Sequence, residues 1–292
     1  MIIDAHAHLW HKQTGKVNGG SVYDIGGGRS LFGSEVRQMM PPYLTDGVNS
    51  AERLIANMDY AGVSGAVITQ EYIDGNQDAY LLECRRHYGD RLRVCALYEE
   101  KPLGDISAFD GIKLCASRLA DKNLLNHTEP FRTACENGKF ISIDLADGAE
   151  QTDMLQKIIQ NFPDLKIAIG HFGMVTREGW LSQIRLAKNP NVFIESGGIT
   201  WLFHKEFYPY PSAVQAIREA ADLVGFEKLM WGSDYPRTMT AITYKMSLDF
   251  VEKTTDISKE DKARFLGGNA KQFYGFGDLA IPEKIRNMVE DD

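Results

Sequence analysis

The hydrophobic pattern alternates between short, almost continuously apolar runs and longer segments with an apolar residue every three or four positions. The short runs are typical of buried parallel strands, and the longer segments are typical of amphipathic helices. Between Asn49, interpreted as a helix cap, and Gly62, interpreted as a helix end, Leu54, Met58 and Ala61 mark one apolar face. Further helices are predicted between Asn76 and Gly89 and near 129–137, 152–162, 180–187, 212–224, 242–253 and 259–265. Strands are predicted from residue 2 to the first histidines and at 63–69, 92–97, 111–115, 140–145, 166–169, 192–195 and 228–231.

Eight strands with helices between them predict an α/β fold, a single (β/α)₈ barrel that spans the 292 residues as one domain. An open doubly wound sheet is the alternative, but no glycine fingerprint supports it. The segment of about 10–47 is rich in glycine and too long for an ordinary connection. We interpret it as a flexible lid loop over the site, and residues 282–292 as a charged tail.

Composition narrows the range of partners. The chain has 32 basic and 40 acidic residues and a net charge of −8, without a basic cluster, which argues against nucleic-acid binding. No apolar run is long enough for a membrane span, and no signal peptide is visible. Four cysteines without CxxC spacing suit buried thiols in a reducing compartment. We therefore expect a cytoplasmic protein that acts on a small molecule, and a homo-oligomer is compatible with this sequence.

His6 and His8 are the first candidate functional residues. Side chains two positions apart in a strand point the same way, so these imidazoles project side by side and could bind one divalent cation. In a barrel the carboxyl ends of all strands form one rim, so polar residues that follow the other strands converge on this pair. These residues are Glu71, Tyr72, Lys113, Arg118, Asp144, Asp147, His171, Glu195 and Asp234. His11 and His204 are loop histidines that could also reach the site, whereas His87 and His127 are expected at exposed positions.

Four motifs together resemble the amidohydrolase superfamily, in particular the group with sugar-acid lactonases and non-oxidative decarboxylases. They are IDAHAHL at 3–9, AIGHFG at 168–173, NVFIESGG at 191–198 and MWGSDYP at 230–236. The segment FLGGNA at 265–270 also resembles the final helix of that group. The resemblance implies a barrel that binds a metal through His6, His8 and Asp234, with His171 at the strand-six position.

The sequence departs from the superfamily pattern at strand five. Many members have a metal-binding histidine there, whereas this chain has Asp144, and no lysine is in a clear bridging position. We therefore expect one divalent ion, zinc or manganese, rather than two. Catalysis without a metal remains open, because some lactonases of this group work without one. Asp144 could itself be a substitute ligand, or it could have a hydrogen-bonding or structural role.

The function predicted from this resemblance is hydrolysis of a small sugar-acid or carboxylated lactone. Asp234 would be the general base, and His171 would orient the nucleophile or stabilise negative charge. The candidate substrate-binding residues are Lys113, Arg118, Asp144, Glu195, Trp201 and Tyr235. Two alternatives remain: a metal-dependent decarboxylase or hydratase on the same scaffold, and a non-catalytic binding protein.

Overall fold

A computed structural model describes residues 1–283, and it shows the predicted barrel. Eight parallel strands form one sheet in chain order. They are β1 (Ile2–His8), β6 (Val63–Thr69), β7 (Leu92–Leu97), β8 (Gly111–Leu114), β9 (Phe140–Ile143), β10 (Ile167–Ile169), β11 (Val192–Glu195) and β12 (Leu229–Met230). Backbone hydrogen bonds from Ala5 N to Trp231 O (2.9 Å) and from His8 N to Tyr235 O (2.8 Å) join β1 to the segment after β12. These bonds close the ring of strands.

Helices pack around the strands. They are α1 (Ala51–Ala61), α2 (Asp78–Tyr88), α3 (Glu129–Glu136), α4 (Thr152–Asn161), α5 (Leu181–Arg185), α6 (Ile199–Leu202), α7 (Pro211–Val224), α8 (Met246–Lys253), α9 (Lys259–Ala263) and α10 (Asn269–Tyr274). In α1, Leu54 and Met58 are fully buried against the barrel, and Gly62 ends the helix in the left-handed conformation, as predicted. Asn49 is not the cap of α1. Ser50 has that position, and the Asn49 amide donates to His8 O instead (2.6 Å).

The segment predicted as an irregular loop contains a four-stranded antiparallel sheet. Its strands are β2 (Gly15–Val17), β3 (Gly20–Asp24), β4 (Arg29–Phe32) and β5 (Glu35–Gln38). Asn18 and Gly19 both have positive φ angles, 50° and 78°, in the two-residue turn between β2 and β3. An Asn-Gly pair favours this hairpin turn, so the glycines that were interpreted as flexible instead shape tight turns.

This small sheet is attached beside the carboxyl end of β6. Thr14 N donates to Asp74 O (3.1 Å), and Lys16 N donates to Tyr72 O (2.8 Å). Its function as a lid remains a prediction. The predicted charged tail falls mostly on 284–292, outside the described residues. Within residues 1–283, no helix has both the length and the apolar character needed to cross a membrane.

Candidate metal and acid–base site

Two histidines and an aspartate converge at the carboxyl end of the barrel. The Nε2 atoms of His6 and His8 are 3.0 Å apart, and His8 Nε2 is 3.0 Å from Asp234 Oδ1. His6 Nε2 is 3.8 Å from the same oxygen. All three side chains are buried. The strand period of two aligns the histidines, and the closure of the barrel beside β1 brings in Asp234.

The donor set fits a divalent cation. Tetrahedral zinc with bonds of 2.0–2.1 Å places its ligand atoms about 3.3 Å apart, close to the separations seen here. Burial, together with the nearby Arg237 cation, holds the pKa of His8 well below its usual value, so that imidazole is neutral. Burial alone would raise the pKa of Asp234, but the hydrogen bond from His8 and the charge of Arg237 hold it below its ordinary range. A neutral imidazole and an ionised carboxylate are the charge states of metal ligands, and the proton that His8 Nε2 donates to Asp234 would be released when a metal binds.

Glu195 forms a hydrogen bond with His6, one member of this donor set. Its Oε1 accepts a hydrogen bond from His6 Nδ1 (2.6 Å), and its Oε2 accepts from Gly197 N (2.5 Å). A proton on Nδ1 leaves the Nε2 lone pair of His6 free to face a cation. Because Glu195 is fully buried behind His6, it is not placed to contact a substrate, in contrast to the prediction.

Lys113, Asp144 and His171 form a second polar cluster next to His6. Lys113 Nζ lies 2.7 Å from Asp144 Oδ2, and His171 Nε2 lies 3.6 Å from the same oxygen. Lys113 was predicted to present its ammonium group to a substrate. Its side chain is instead fully buried and neutralises Asp144. Burial would lower the pKa of His171, but the Asp144 carboxylate raises it to about 10. His171 therefore carries a positive charge beside the donor set.

Glycines make room for this packing. A Cβ atom on Gly170 would clash with Asp144 Oδ1 and lie 2.7 Å from Glu195 Oε1. A Cβ atom on Gly197 or Gly232 would lie 2.8 Å from the His6 side chain. Side chains at these positions would force the acidic groups and His6 apart.

Trp201, a predicted substrate-binding residue, directly contacts Asp234 of the donor set. Its indole Nε1 donates to Asp234 Oδ2 (2.7 Å), and its ring is 6.0 Å from that of His171. Arg118 lies at the rim, where its Nε donates to Glu71 Oε1 (2.9 Å). Both side chains are partly exposed, so both are accessible to a ligand.

Tyr235 lies outside the cluster. Its ring packs edge-on against Tyr244 at 5.8 Å and is buried, so it does not present a surface to a substrate as predicted. The two loop histidines also remain outside the donor set. His11 lies 6.0 Å from the Tyr80 ring, and exposed His204 bonds to Trp201 O (2.9 Å).

An ion pair that was not predicted from the sequence lies at the edge of the site. Arg237 Nη2 donates to both carboxylate oxygens of Asp74 (2.8 Å each), and its Nη1 is 3.8 Å from Asp234 Oδ1. Asp74 Oδ2 is in turn 3.7 Å from His8 Nδ1. Arg237 directly follows the motif at 230–236, and this position could have identified it as a candidate site residue. Asp74 lies within the loop after β6, beyond the strand-end residues from which the site was predicted.

The backbone at the site is constrained. His171 and Asp234 both have left-handed φ angles, 54° and 56°, which are uncommon for residues other than glycine. Asp4, fully buried in β1, accepts hydrogen bonds from the backbone and hydroxyl groups of Ser233 and from Tyr244 Oη (2.9 Å). Asp4 thereby fixes the segment that presents Asp234.

Comparison with known proteins identifies the family. The family model described as Amidohydrolase matches residues 3–276. The chain belongs to the amidohydrolase family. It is therefore an enzyme of the amidohydrolase superfamily, and this family membership supports a hydrolase. The predicted resemblance is confirmed.

Individual relatives agree with this assignment. An L-fucono-1,5-lactonase of Burkholderia ambifaria is 26% identical to this amidohydrolase, covering 93% of this chain and 94% of the relative. A zinc-bound amidohydrolase from Burkholderia multivorans has a TM-score of 0.68 at 16% identity, covering 95% and 100% of the two chains. A candidate 2-pyrone-4,6-dicarboxylic acid hydrolase from Pseudomonas putida has a TM-score of 0.69 at 19% identity, covering 94% and 97%. The two structures show that the fold is shared.

Proposed function

We propose that this amidohydrolase opens the ring of a small sugar-acid lactone with water. The observation that carries the proposal is the convergence of His6, His8 and Asp234 next to a positively charged His171. This arrangement combines a cation-binding set, a carboxylate base and a cationic donor, which suits attack on an ester carbonyl. The choice of a lactone is supported by the relative that acts on L-fucono-1,5-lactone and aligns over almost the whole chain.

The residues that would hold the cation are His6, His8 and Asp234, and we propose one zinc or manganese ion. When bound, such an ion polarises a carbonyl group and lowers the pKa of water. Glu195 contributes indirectly, because it keeps the His6 proton on Nδ1.

Asp234 is the proposed general base. It accepts a proton from water as the water oxygen bonds to the carbonyl carbon, and it returns this proton to the ring oxygen as the bond between the carbonyl carbon and the ring oxygen breaks. Trp201 orients this carboxylate through its hydrogen bond to Oδ2. His171, kept protonated by Asp144, stabilises the negative charge that develops on the carbonyl oxygen. The product is a hydroxy acid, which releases a proton at neutral pH.

Acidification of a weakly buffered solution therefore tests the proposal. A panel of aldonolactones that includes L-fucono-1,5-lactone is screened with a pH indicator. The screen uses protein stripped of metal by a chelator and then supplied with zinc or manganese. We expect acidification with at least one lactone and its loss on metal removal. In parallel, carboxylated aromatic acids are monitored for carbon dioxide, and carbon dioxide release without any lactone opening would establish the decarboxylase alternative.

The variant Asp234→Asn tests the assigned base. The amide is nearly isosteric but cannot take up the proton, so kcat should fall by about 10²- to 10⁴-fold with the fold retained. Asp249→Asn is the matched control, because Asp249 is a buried acid in α8 that pairs with Lys245 and Lys253 outside the site. Turnover by Asp234→Asn at the level of the control would remove Asp234 from its role.

A further inference from the structure

A cleft of about 490 Å³ lies beside the site, between the loops that follow β10 and β11. We call it the Trp201 cleft. Thr176 and Arg177 line it from the first loop, and Trp201 and Lys205 line it from the second. Both loops follow carboxyl ends of barrel strands, the face on which barrel enzymes bind substrates.

Trp201 is the wall shared by this cleft and the site. Its ring lines the cleft, while its Nε1 donates to Asp234 Oδ2 (2.7 Å). His171, the partly exposed member of the site cluster, has its ring centre 6.0 Å from that of Trp201. A molecule in the cleft therefore contacts the same side chain that donates to the proposed base.

The lining of the cleft matches a hydroxylated ligand. Trp201, Leu202 and Phe203 give the cleft an aromatic and apolar surface, and Thr176 and Lys205 add polar groups to it. Pockets that bind small polar molecules combine such an apolar wall with a few polar groups. Lys205 is exposed and has no ion pair within residues 1–283. The neighbouring acid, Glu206, does not neutralise Lys205, because its carboxylate accepts hydrogen bonds from the backbone N–H (3.1 Å) and the hydroxyl group of Ser212.

We propose that the Trp201 cleft is the subsite for the hydroxylated exocyclic carbons of the substrate, with Lys205 as a donor to their hydroxyl groups. This inference rests on the proposed lactone hydrolysis. The subsite makes the enzyme selective for chain length, because only a lactone with carbons outside its ring occupies the cleft.

The test measures kcat/KM for aldono-1,4-lactones of four, five and six carbons, which have zero, one and two exocyclic carbons. Thr176→Trp fills the cleft, and Lys205→Met removes the proposed donor. Thr255→Trp and Lys188→Met are the controls, since both positions are exposed and outside the cleft. For the wild-type enzyme we expect kcat/KM to rise with chain length. Lys205→Met should reduce the six- to four-carbon ratio by about ten-fold, the typical effect of losing a charged hydrogen-bond donor. Thr176→Trp should also reduce this ratio, because its side chain fills the space that the exocyclic carbons would occupy.

The possible results distinguish a failure of the proposed subsite from a failure of the proposed hydrolysis. If the wild-type enzyme opens lactones but both cleft variants keep the chain-length ratio of the controls, the subsite is overturned and the proposed hydrolysis stands. If the wild-type enzyme opens no lactone, both proposals are overturned. A ratio reduced in both cleft variants, with zinc content and circular dichroism unchanged, supports the subsite.

Discussion

The hydrogen bond between His6 and Glu195 should control metal affinity, and Glu195→Gln tests this. In the native protein the carboxylate accepts from two donors, His6 Nδ1 at 2.6 Å and Gly197 N at 2.5 Å. A glutamine has the same shape but one oxygen, so it can serve only one of these donors. If the oxygen remains with Gly197, the amide NH₂ faces His6 and requires Nδ1 to become an acceptor. The proton then moves to Nε2, the atom that faces the metal position.

We expect this change of tautomer to weaken zinc binding by 10- to 100-fold, the usual cost of removing such an orienting partner. That range corresponds to about 1.4 to 2.7 kcal/mol. The affinity is measured by titrating zinc into metal-free protein in competition with a chromophoric chelator. Glu129→Gln is the control, since Glu129 also accepts a backbone hydrogen bond, from Leu103 N, but lies outside the donor set. Zinc affinity equal to that of the control, in a folded Glu195→Gln protein, would refute the reasoning.

Three further variants probe the surroundings of the site. Trp201→Phe keeps an aromatic ring but loses the hydrogen bond to Asp234, the proposed base, so kcat should fall by about ten-fold with zinc content unchanged. An unchanged kcat would contradict this. Gly170→Ala should displace Asp144 and lower the free energy of unfolding by about 1–3 kcal/mol in a denaturant titration. Gly104→Ala is the control, because a Cβ atom at Gly104 meets open space, and its free energy of unfolding should stay at the wild-type value. Lys113→Met removes the closer cation from the buried Asp144 carboxylate and leaves only His171, at 3.6 Å, so we expect the free energy of unfolding to fall by about 3 kcal/mol. An unchanged unfolding midpoint would exclude the Lys113–Asp144 ion pair as a stabilising element.

Much of the barrel could be predicted because its strands are buried on both faces. The predicted strands at 63–69, 92–97 and 192–195 have the bounds that the structure shows. The small sheet could not be recognised in the same way, because strands such as β2 and β5 are only three and four residues long, and every residue of β5 is exposed. Their hydrophobic pattern is too weak to separate from that of a loop, and the Asn18-Gly19 turn was the remaining signal.

The site was predictable to the extent that strand ends determine it. His6, His8, His171 and Asp234 come together because parallel strands in a barrel share one carboxyl rim. The sequence did not indicate which carboxylates face a substrate and which face another side chain. Glu195 was predicted to bind substrate, yet it lies beneath His6, because burial depth depends on the packing of the whole barrel.

The left-handed backbone at His171 and Asp234 affects how this enzyme can be engineered. Each such conformation costs a non-glycine residue free energy, of order 1–3 kcal/mol, that glycine would largely avoid. A selection for thermal stability alone would therefore favour glycine at two positions to which we assign acid–base roles. Under that assignment, a library selected for stability needs a simultaneous screen for turnover, because glycine at these positions would add stability and remove the proposed acid–base residues.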